Sequence, residues 1–457
     1  MLDALTQSQF SQIGRKLTAR TGILELMDDL GRAMTIEPDM LMLGGGNPAA
    51  VPAMQKLYRE RMTQLLADGP AFDRMLVNYD PPRGNPRFLE ALADLLRRTY
   101  GWDITPRNMA ITNGGQSAFF MLFNLLSGTM ETSETSRDRQ GAVPARGADR
   151  SLTVAARGEP RRKILLPLCP EYIGYADQGM EEDQFIACQP KITWPAGEAG
   201  HVFKYHIDFA AVEAALKNEA IGAIVASRPT NPTGNVLDDD EVARLSKLAH
   251  EHEVPLILDN AYGAPFPGVI FTQATPHWAP HIILTLSLSK LGLPGTRTGI
   301  VIAPEPIALA IASMTAIVGL ANGTIGQQLV MPWVESGEIL QFGPRILRPF
   351  YEEKSQQAIA LARDIFNKAG VNWAMHASEG AFFHWLWLRD LMIPTRELYE
   401  RLKARKVLIV PGEYFFFGLG EDWPHRHECL RVNFSQPEAV VREGLTIIAD
   451  EARKAMK

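Results

Sequence analysis

Ser287-Leu-Ser289-Lys290-Leu-Gly-Leu-Pro-Gly295-Thr-Arg297-Thr-Gly299 follows the apolar run Ile282–Leu286, which reads as a buried strand. A lysine at a strand end is by itself a solvated surface residue. This one has two hydroxyls immediately before it and an arginine shortly after it. A lysine that forms a Schiff base must first lose its proton, and desolvation beside another cation lowers its pKa. A phosphate on the same ligand needs hydroxyl and guanidinium donors within a few residues of that amine. Ser287, Ser289 and Arg297 are placed to supply them around Lys290.

Working outward, two more strand ends carry unusual residues. Arg228-Pro-Thr-Asn231-Pro232-Thr-Gly234-Asn follows the apolar run Ile221–Ser227, and Asp259-Asn-Ala-Tyr262-Gly follows Val254–Leu258. Asn-Pro-Thr-Gly alone is a turn, and Asp259 alone could be a helix or turn cap. A buried carboxylate at a strand end must nevertheless be paired or neutralised. A protonated ring nitrogen would serve, drawing electrons from a carbanion, with Tyr262 and Asn231 bonding the ring's phenolic oxygen.

Short apolar runs at Lys163–Cys169, Ile221–Ser227, Val254–Asp259, Ile282–Leu286 and Thr298–Ala303 alternate with helical patterns such as Asn85–Tyr100, Ser117–Leu126 and Asp238–His252. The alternation predicts an α/β fold with a mostly parallel central sheet covered by helices on both faces, and ligands at the carboxyl ends of its strands. From about Gly343 the pattern changes to a smaller α+β domain. The expected division is an N-terminal segment, 1–46, packing with the small domain, a large domain over 47–342 and the small domain over 343–457. Residues 129–162, rich in Arg, Gly, Ser, Thr and Ala, read as a solvated or disordered insertion.

The 457 residues carry a formal net charge of -6 and three cysteines at no metal-ligand spacing. No nucleic-acid or membrane partner and no metal are expected, nor is a DNA-binding domain ahead of the core. No leader or spanning run is legible, so a cytoplasmic protein with reduced thiols is expected.

These stretches, with Met42-Leu-Gly-Gly-Gly-Asn-Pro and Cys169-Pro-Glu-Tyr-Ile-Gly-Tyr175, resemble the fold type I pyridoxal-phosphate enzymes of the aspartate aminotransferase superfamily, most closely their valine–pyruvate branch. The match runs nearly end to end. It implies pyridoxal 5'-phosphate held as a covalent aldimine on Lys290, with catalytic roles for Asp259 and Tyr262. It also implies phosphate contacts from Gly115, Gln116, Ser287, Ser289 and Arg297, with Tyr172 stacked on the ring. Substrate would meet Gly45, Asn231 and Arg431, the last as a fork on the α-carboxylate. Tyr79 would reach the neighbouring active site of a homodimer, and the Asn231–Pro232 bond would be cis. The implied reaction is ping-pong transfer of an amino group between valine, or a similar aliphatic amino acid, and pyruvate, giving 2-oxoisovalerate and alanine. Aromatic or aminoadipate aminotransferases and pyridoxal-phosphate C–S lyases share the cofactor residues and stay open at this point. The Lys290–Arg297 spacing is one residue shorter than in aspartate aminotransferase. Phe415, Phe416 and Phe417 read equally as pocket lining or as core.

Overall fold

The structure is a computed structural model that describes residues 10–19, 21–35, 39–130, 161–197 and 200–456. Its central sheet runs, in spatial order, Met109–Thr112, Gly299–Ile302, Ile282–Ser287, Leu256–Asp259, Ile221–Ser227, Arg161–Leu166 and Gly128–Thr129, with Phe185–Ala187 also paired to Arg161–Leu166. Every residue of Ile221–Ser227, Leu256–Asp259 and Ile282–Ser287 is buried. That explains why these strands read as unbroken apolar runs rather than as alternations. Pairing among them is parallel, and Gly299–Ile302 runs antiparallel to both of its neighbours. Thr112, Ser227, Asp259 and Ser287 therefore end at one edge, and Gly299 begins there.

The helices have local causes. In Pro86–Tyr100 the side chain of Asn85 accepts from the Phe88 amide, Pro86 fills the first turn, and Gly101 ends the helix at φ 69°. Its stripe of Leu89, Leu92, Leu95 and Leu96 is buried, as the spacing predicts. Asp239–Glu251 opens on a reciprocal capping box between Asp238 and Glu241. The helix expected from Ser117 begins two residues earlier, as Gly115–Leu126, with no side-chain cap on its first amides.

A second sheet runs Val410–Pro411, Cys429–Asn433, Phe383–Leu388, Trp373–His376, Val202–His206 and Lys191–Thr193. Its last two strands come from the stretch assigned above to the large domain. They sit here because Val202 and Phe203 pair in parallel with Met375 and His376. The N-terminal strand Leu41–Met42 pairs with Val407–Leu408. The helix Gly22–Thr35 is tied to the same region by Asp29, which accepts from Tyr399 Oη at 2.5 Å and from Lys403 Nζ at 2.7 Å.

Two expectations need correction. Among the described residues the cis bonds are Cys169–Pro170, Arg228–Pro229, Ala264–Pro265 and Phe266–Pro267, so Asn231–Pro232 is not cis. The chain reverses there through Gly234 at φ 72°, whose amide donates to Thr230 O at 2.8 Å. The ends of the expected insertion are strand, not loop: Gly128 and Thr129 pair with Arg162 and Arg161. Residues 131–160 lie outside the described residues. Among the described residues no helix is long and apolar enough to cross a membrane, and all three cysteines are buried and unbridged.

Candidate active site

The converging strand ends surround a cavity of about 220 Å³. Lys290 lines it, three residues past Ser287, the final residue of its strand. Its amine donates to Gly46 O at 2.6 Å. Burial and then the positive charge of Arg431 pull its pKa down to about 8, against the opposing pull of Asp259. The neutral amine, which is the nucleophile, gains population as pH rises through that value. The rate at which the apoprotein captures pyridoxal phosphate covalently, followed by stopped-flow absorbance, is expected to climb with pH and level off above about 8. A rate still climbing steeply near the ordinary lysine pKa of about 10.4 would contradict this environment.

Asp259, the last residue of Leu256–Asp259, accepts from Tyr175 Oη at 2.5 Å, from the Ala261 amide at 2.8 Å and from Thr285 Oγ1 at 3.2 Å. Burial raises its pKa, and these three bonds counter the rise by favouring the anion. Opposite it, Arg431 on Cys429–Asn433 donates through Nη1 to Asn231 Oδ1 at 2.6 Å and through Nη2 to Gly44 O at 2.7 Å. The guanidinium lies 4.1 Å from the Phe383 ring centroid, and burial lowers its pKa to about 10.

At the other end Gly114, at φ 87°, lets the Arg297 guanidinium lie against the start of Gly115–Leu126. A Cβ on Gly114 would sit 2.2 Å from Arg297 Nη2. Arg297, Ser287, Ser289, Gly115 and Gln116 all border the cavity there. Uncapped helical amides beside a guanidinium and two hydroxyls form an anion site.

The chemistry of this set fits pyridoxal phosphate. Among the buried polar atoms without partners, two belong to residues that border the cavity, Tyr262 Oη and Arg431 Nε. Unsatisfied buried donors are costly and ask for a ligand. A phenolic oxygen and a carboxylate would satisfy them, with Asp259 left for a ring nitrogen and the anion site for a phosphate.

Not every expected residue is brought to the cavity. Gly44 and Gly46 line it and Gly45 does not; the Gly45 carbonyl accepts from Asn433 Nδ2 at 2.6 Å. The Gln116 side chain donates to Gly174 O at 2.9 Å, which leaves its backbone for the anion site. Tyr79 is 82% exposed and not among the cavity residues. Phe415 and Phe416 are core, with Phe415 against Trp385 and 5.5 Å from the Arg431 guanidinium, and Phe417 packs on Phe185. Arg228, inside the Asn231 motif, braces the loop instead, donating to Leu237 O, Thr275 O and Asp239.

Sequence reasoning missed Tyr175, Thr285, Glu171 and Asn433. Tyr175 and Glu171 stand in a motif quoted above, but nothing local says that they turn toward Asp259 and Ser227. It also missed that Ile23, Leu26 and Met27 of Gly22–Thr35 wall the cavity.

Comparison with known proteins agrees with this geometry. Residues 193–448 match the family described as aminotransferase class I and II. The chain is 45% identical over 98% of its length, and 98% of the relative's, to valine–pyruvate aminotransferase from Escherichia coli K12. A putative amino-acid aminotransferase from Psychrobacter arcticum superposes with a TM-score of 0.89 at 41% identity, covering 98% of this chain and 99% of that one. The valine-pyruvate aminotransferase from Salmonella typhimurium LT2 gives 0.80 at 44% identity, covering 95% and 99%. This chain belongs to the class I and II aminotransferases, enzymes that work with pyridoxal 5'-phosphate.

Proposed function

We propose that this enzyme exchanges an amino group between valine, or a similar aliphatic amino acid, and pyruvate, with Lys290 as the cofactor-bearing base. The observation that carries this reading is the charge lining of the cavity. Among the described residues its cationic side chains are Lys290, Arg297 and Arg431, each matched to a separate task, so none of these is left over for a second substrate carboxylate. Ile23, Leu26 and Met27 offer apolar surface to an uncharged side chain instead. The relatives named valine–pyruvate aminotransferase support the same substrates.

Bound pyridoxal phosphate supplies an electron sink for the pair released when the α-proton leaves. The chain's residues do the rest. Ser287, Ser289, Arg297 and the amides of Gly115 and Gln116 would hold the phosphate, and Tyr172 would cover the ring. Asp259 would keep the ring nitrogen protonated, and Tyr262 and Asn231 would hydrogen-bond the phenolic oxygen. Arg431 forks onto the α-carboxylate, exchanging its hold on a protein carbonyl for the substrate. The Lys290 amine, once free, would take the α-proton at Nζ and would deliver it to the carbon on the cofactor side of the amino nitrogen. A 2-oxo acid then accepts the amino group by the reverse path, giving ping-pong kinetics.

We take 47–342, less the strands Lys191–Thr193 and Val202–His206, as the unit that holds the cofactor, and 343–457 with the N-terminal segment as the second. A homodimer completes the proposal. Leu76, Val77, Ile317, Val318 and Leu320 are exposed, as is Tyr79, and Thr324 Oγ1 bonds Met75 O at 2.6 Å, bringing two of these segments together. The buried thiols suit a reducing cytoplasm.

A panel of amino donors with pyruvate as acceptor tests the assignment. Valine is expected to exceed glutamate and aspartate in kcat/KM by at least about tenfold, one buried-charge mismatch being worth more than 1.4 kcal/mol. The reverse ranking would overturn it. Turnover of the amino acid without any 2-oxo acid would indicate a lyase.

A further inference from the structure

Glu171 is 1% exposed and has no role in the chemistry above. Its carboxylate accepts from Ser227 Oγ at 2.5 Å, from the Ser227 amide at 3.0 Å and from the Tyr172 amide at 2.8 Å. No cationic side chain pairs with it among the described residues. A buried carboxylate without a counter-charge is costly and calls for a reason.

The reason lies in what the segment carries. Within five residues Glu171 grips Ser227, Tyr172 borders the cavity, and Tyr175 donates to Asp259 at 2.5 Å. Tyr175 Oη and Ser227 Oγ are 3.4 Å apart, which sets the Ser227–Glu171 and Tyr175–Asp259 pairs side by side, so the two buried carboxylates act on each other through charge across the two hydroxyls. The segment is held from behind as well, since the Glu171 amide donates to Phe415 O at 2.9 Å.

We propose that Glu171 is a positioning residue for the reaction, a second buried carboxylate that acts through Ser227 and Tyr175 to set the aim and the charge environment of Asp259 at the cofactor's ring nitrogen. This rests on the cofactor reading given above.

Burial lifts the Glu171 pKa to about 7, the bonds from Ser227 and Tyr172 holding it down and the charge of Asp259 adding to the rise. The groups that share its field are Asp259, Tyr175 and Cys169, with Arg426 near Cys169; Lys290 and Arg431 line the cavity that Asp259 faces. When Glu171 is ionised, a second negative charge backs the ring nitrogen and favours protons on every cation in the cavity. When it takes a proton, that support is lost. A neutral replacement therefore lowers the pKa of a cation there.

The test is the pH titration of the lysine-bound cofactor's absorption in the wild-type holoenzyme and in Glu171→Gln. The midpoint in Glu171→Gln is expected to fall by about one pH unit, the size of one unit charge acting over roughly ten Å at an effective dielectric near 20. Its kcat is expected to drop about tenfold with the KM of the amino donor unchanged, because Glu171 does not touch substrate. Glu171→Asp, which keeps the charge, should return the midpoint toward wild type. Ser227→Ala gives an independent reading should Glu171→Gln not fold. It removes a donor to the anion, so the midpoint should move the same way by a smaller amount. A folded Glu171→Gln or Ser227→Ala with an unmoved midpoint overturns the inference while leaving the cofactor reading intact. A wild-type protein with no lysine-bound cofactor band overturns the cofactor reading itself.

Discussion

Lys290→Ala is expected to lower transamination by at least about ten-thousand-fold, because one amine carries two tasks. In the proposed reaction it is both the nucleophile that holds the cofactor and the base that moves the α-proton, and general acid–base catalysis alone is worth about a hundred- to ten-thousand-fold. The absorption of the lysine-bound cofactor should vanish with it. Borohydride reduction of the wild-type holoenzyme followed by peptide mapping should place the label on Lys290. The fold should survive, since the side chain makes one hydrogen bond, to Gly46 O, and leaves an acceptor at the cavity edge that water can reach. Activity within tenfold of wild type, or label on another lysine, would show that the base lies elsewhere.

Arg431→Lys is the second large loss. The guanidinium makes bonds to Asn231 and Gly44 in two directions at once and still keeps Nε free. An ammonium is a point charge without that fork, so it can neither grip a carboxylate with two parallel bonds nor satisfy both protein oxygens. Losing a buried, charge-assisted contact costs about 2–5 kcal/mol, which is about thirty- to five-thousand-fold in kcat/KM for the amino acid. Part of that cost is structural, because Asn231 and the Gly44 carbonyl are left short of a donor. A substrate analogue without the carboxylate separates the two parts. Its half-reaction rate should be nearly equal in wild type and variant if Arg431 acts on the carboxylate, and should fall equally if the change merely disorders the cavity.

The residues that sequence could place are those whose neighbours lie next to one another in the sheet. Asp259 ends one strand, Lys290 follows the parallel strand on one side of it and Asn231 follows the parallel strand on the other, so strand-end position alone brings them together. The buried strands announced themselves through unbroken apolar runs, and Pro86–Tyr100 through its cap and stripe. Contacts made across the fold had no such cue. Tyr175 reaches Asp259 from a turn far earlier in the chain, and Asn433 reaches back to Gly45 from the second sheet. Three glycines in a row carry no side-chain periodicity, so the choice of Gly44 and Gly46 over Gly45 at the cavity was invisible. Likewise a resemblance supplied the cis bond at Asn231–Pro232, and a local turn through Gly234 makes it unnecessary.

The second sheet has a consequence for how the chain is made. Val202–His206 leaves the ribosome about 170 residues before its neighbour Trp373–His376 exists. During that interval one edge of the strand has no hydrogen-bonding partner, at an elongation rate of roughly 5–20 residues per second. Open strand edges invite pairing with other chains, and contacts so distant in sequence form slowly. A fragment beginning at residue 343 inherits the mirror image of the problem, with Trp373–His376 exposed along the edge that Val202–His206 should cover. The C-terminal unit is therefore expected to aggregate when expressed alone and to stay in solution when 191–206 is supplied on a separate peptide.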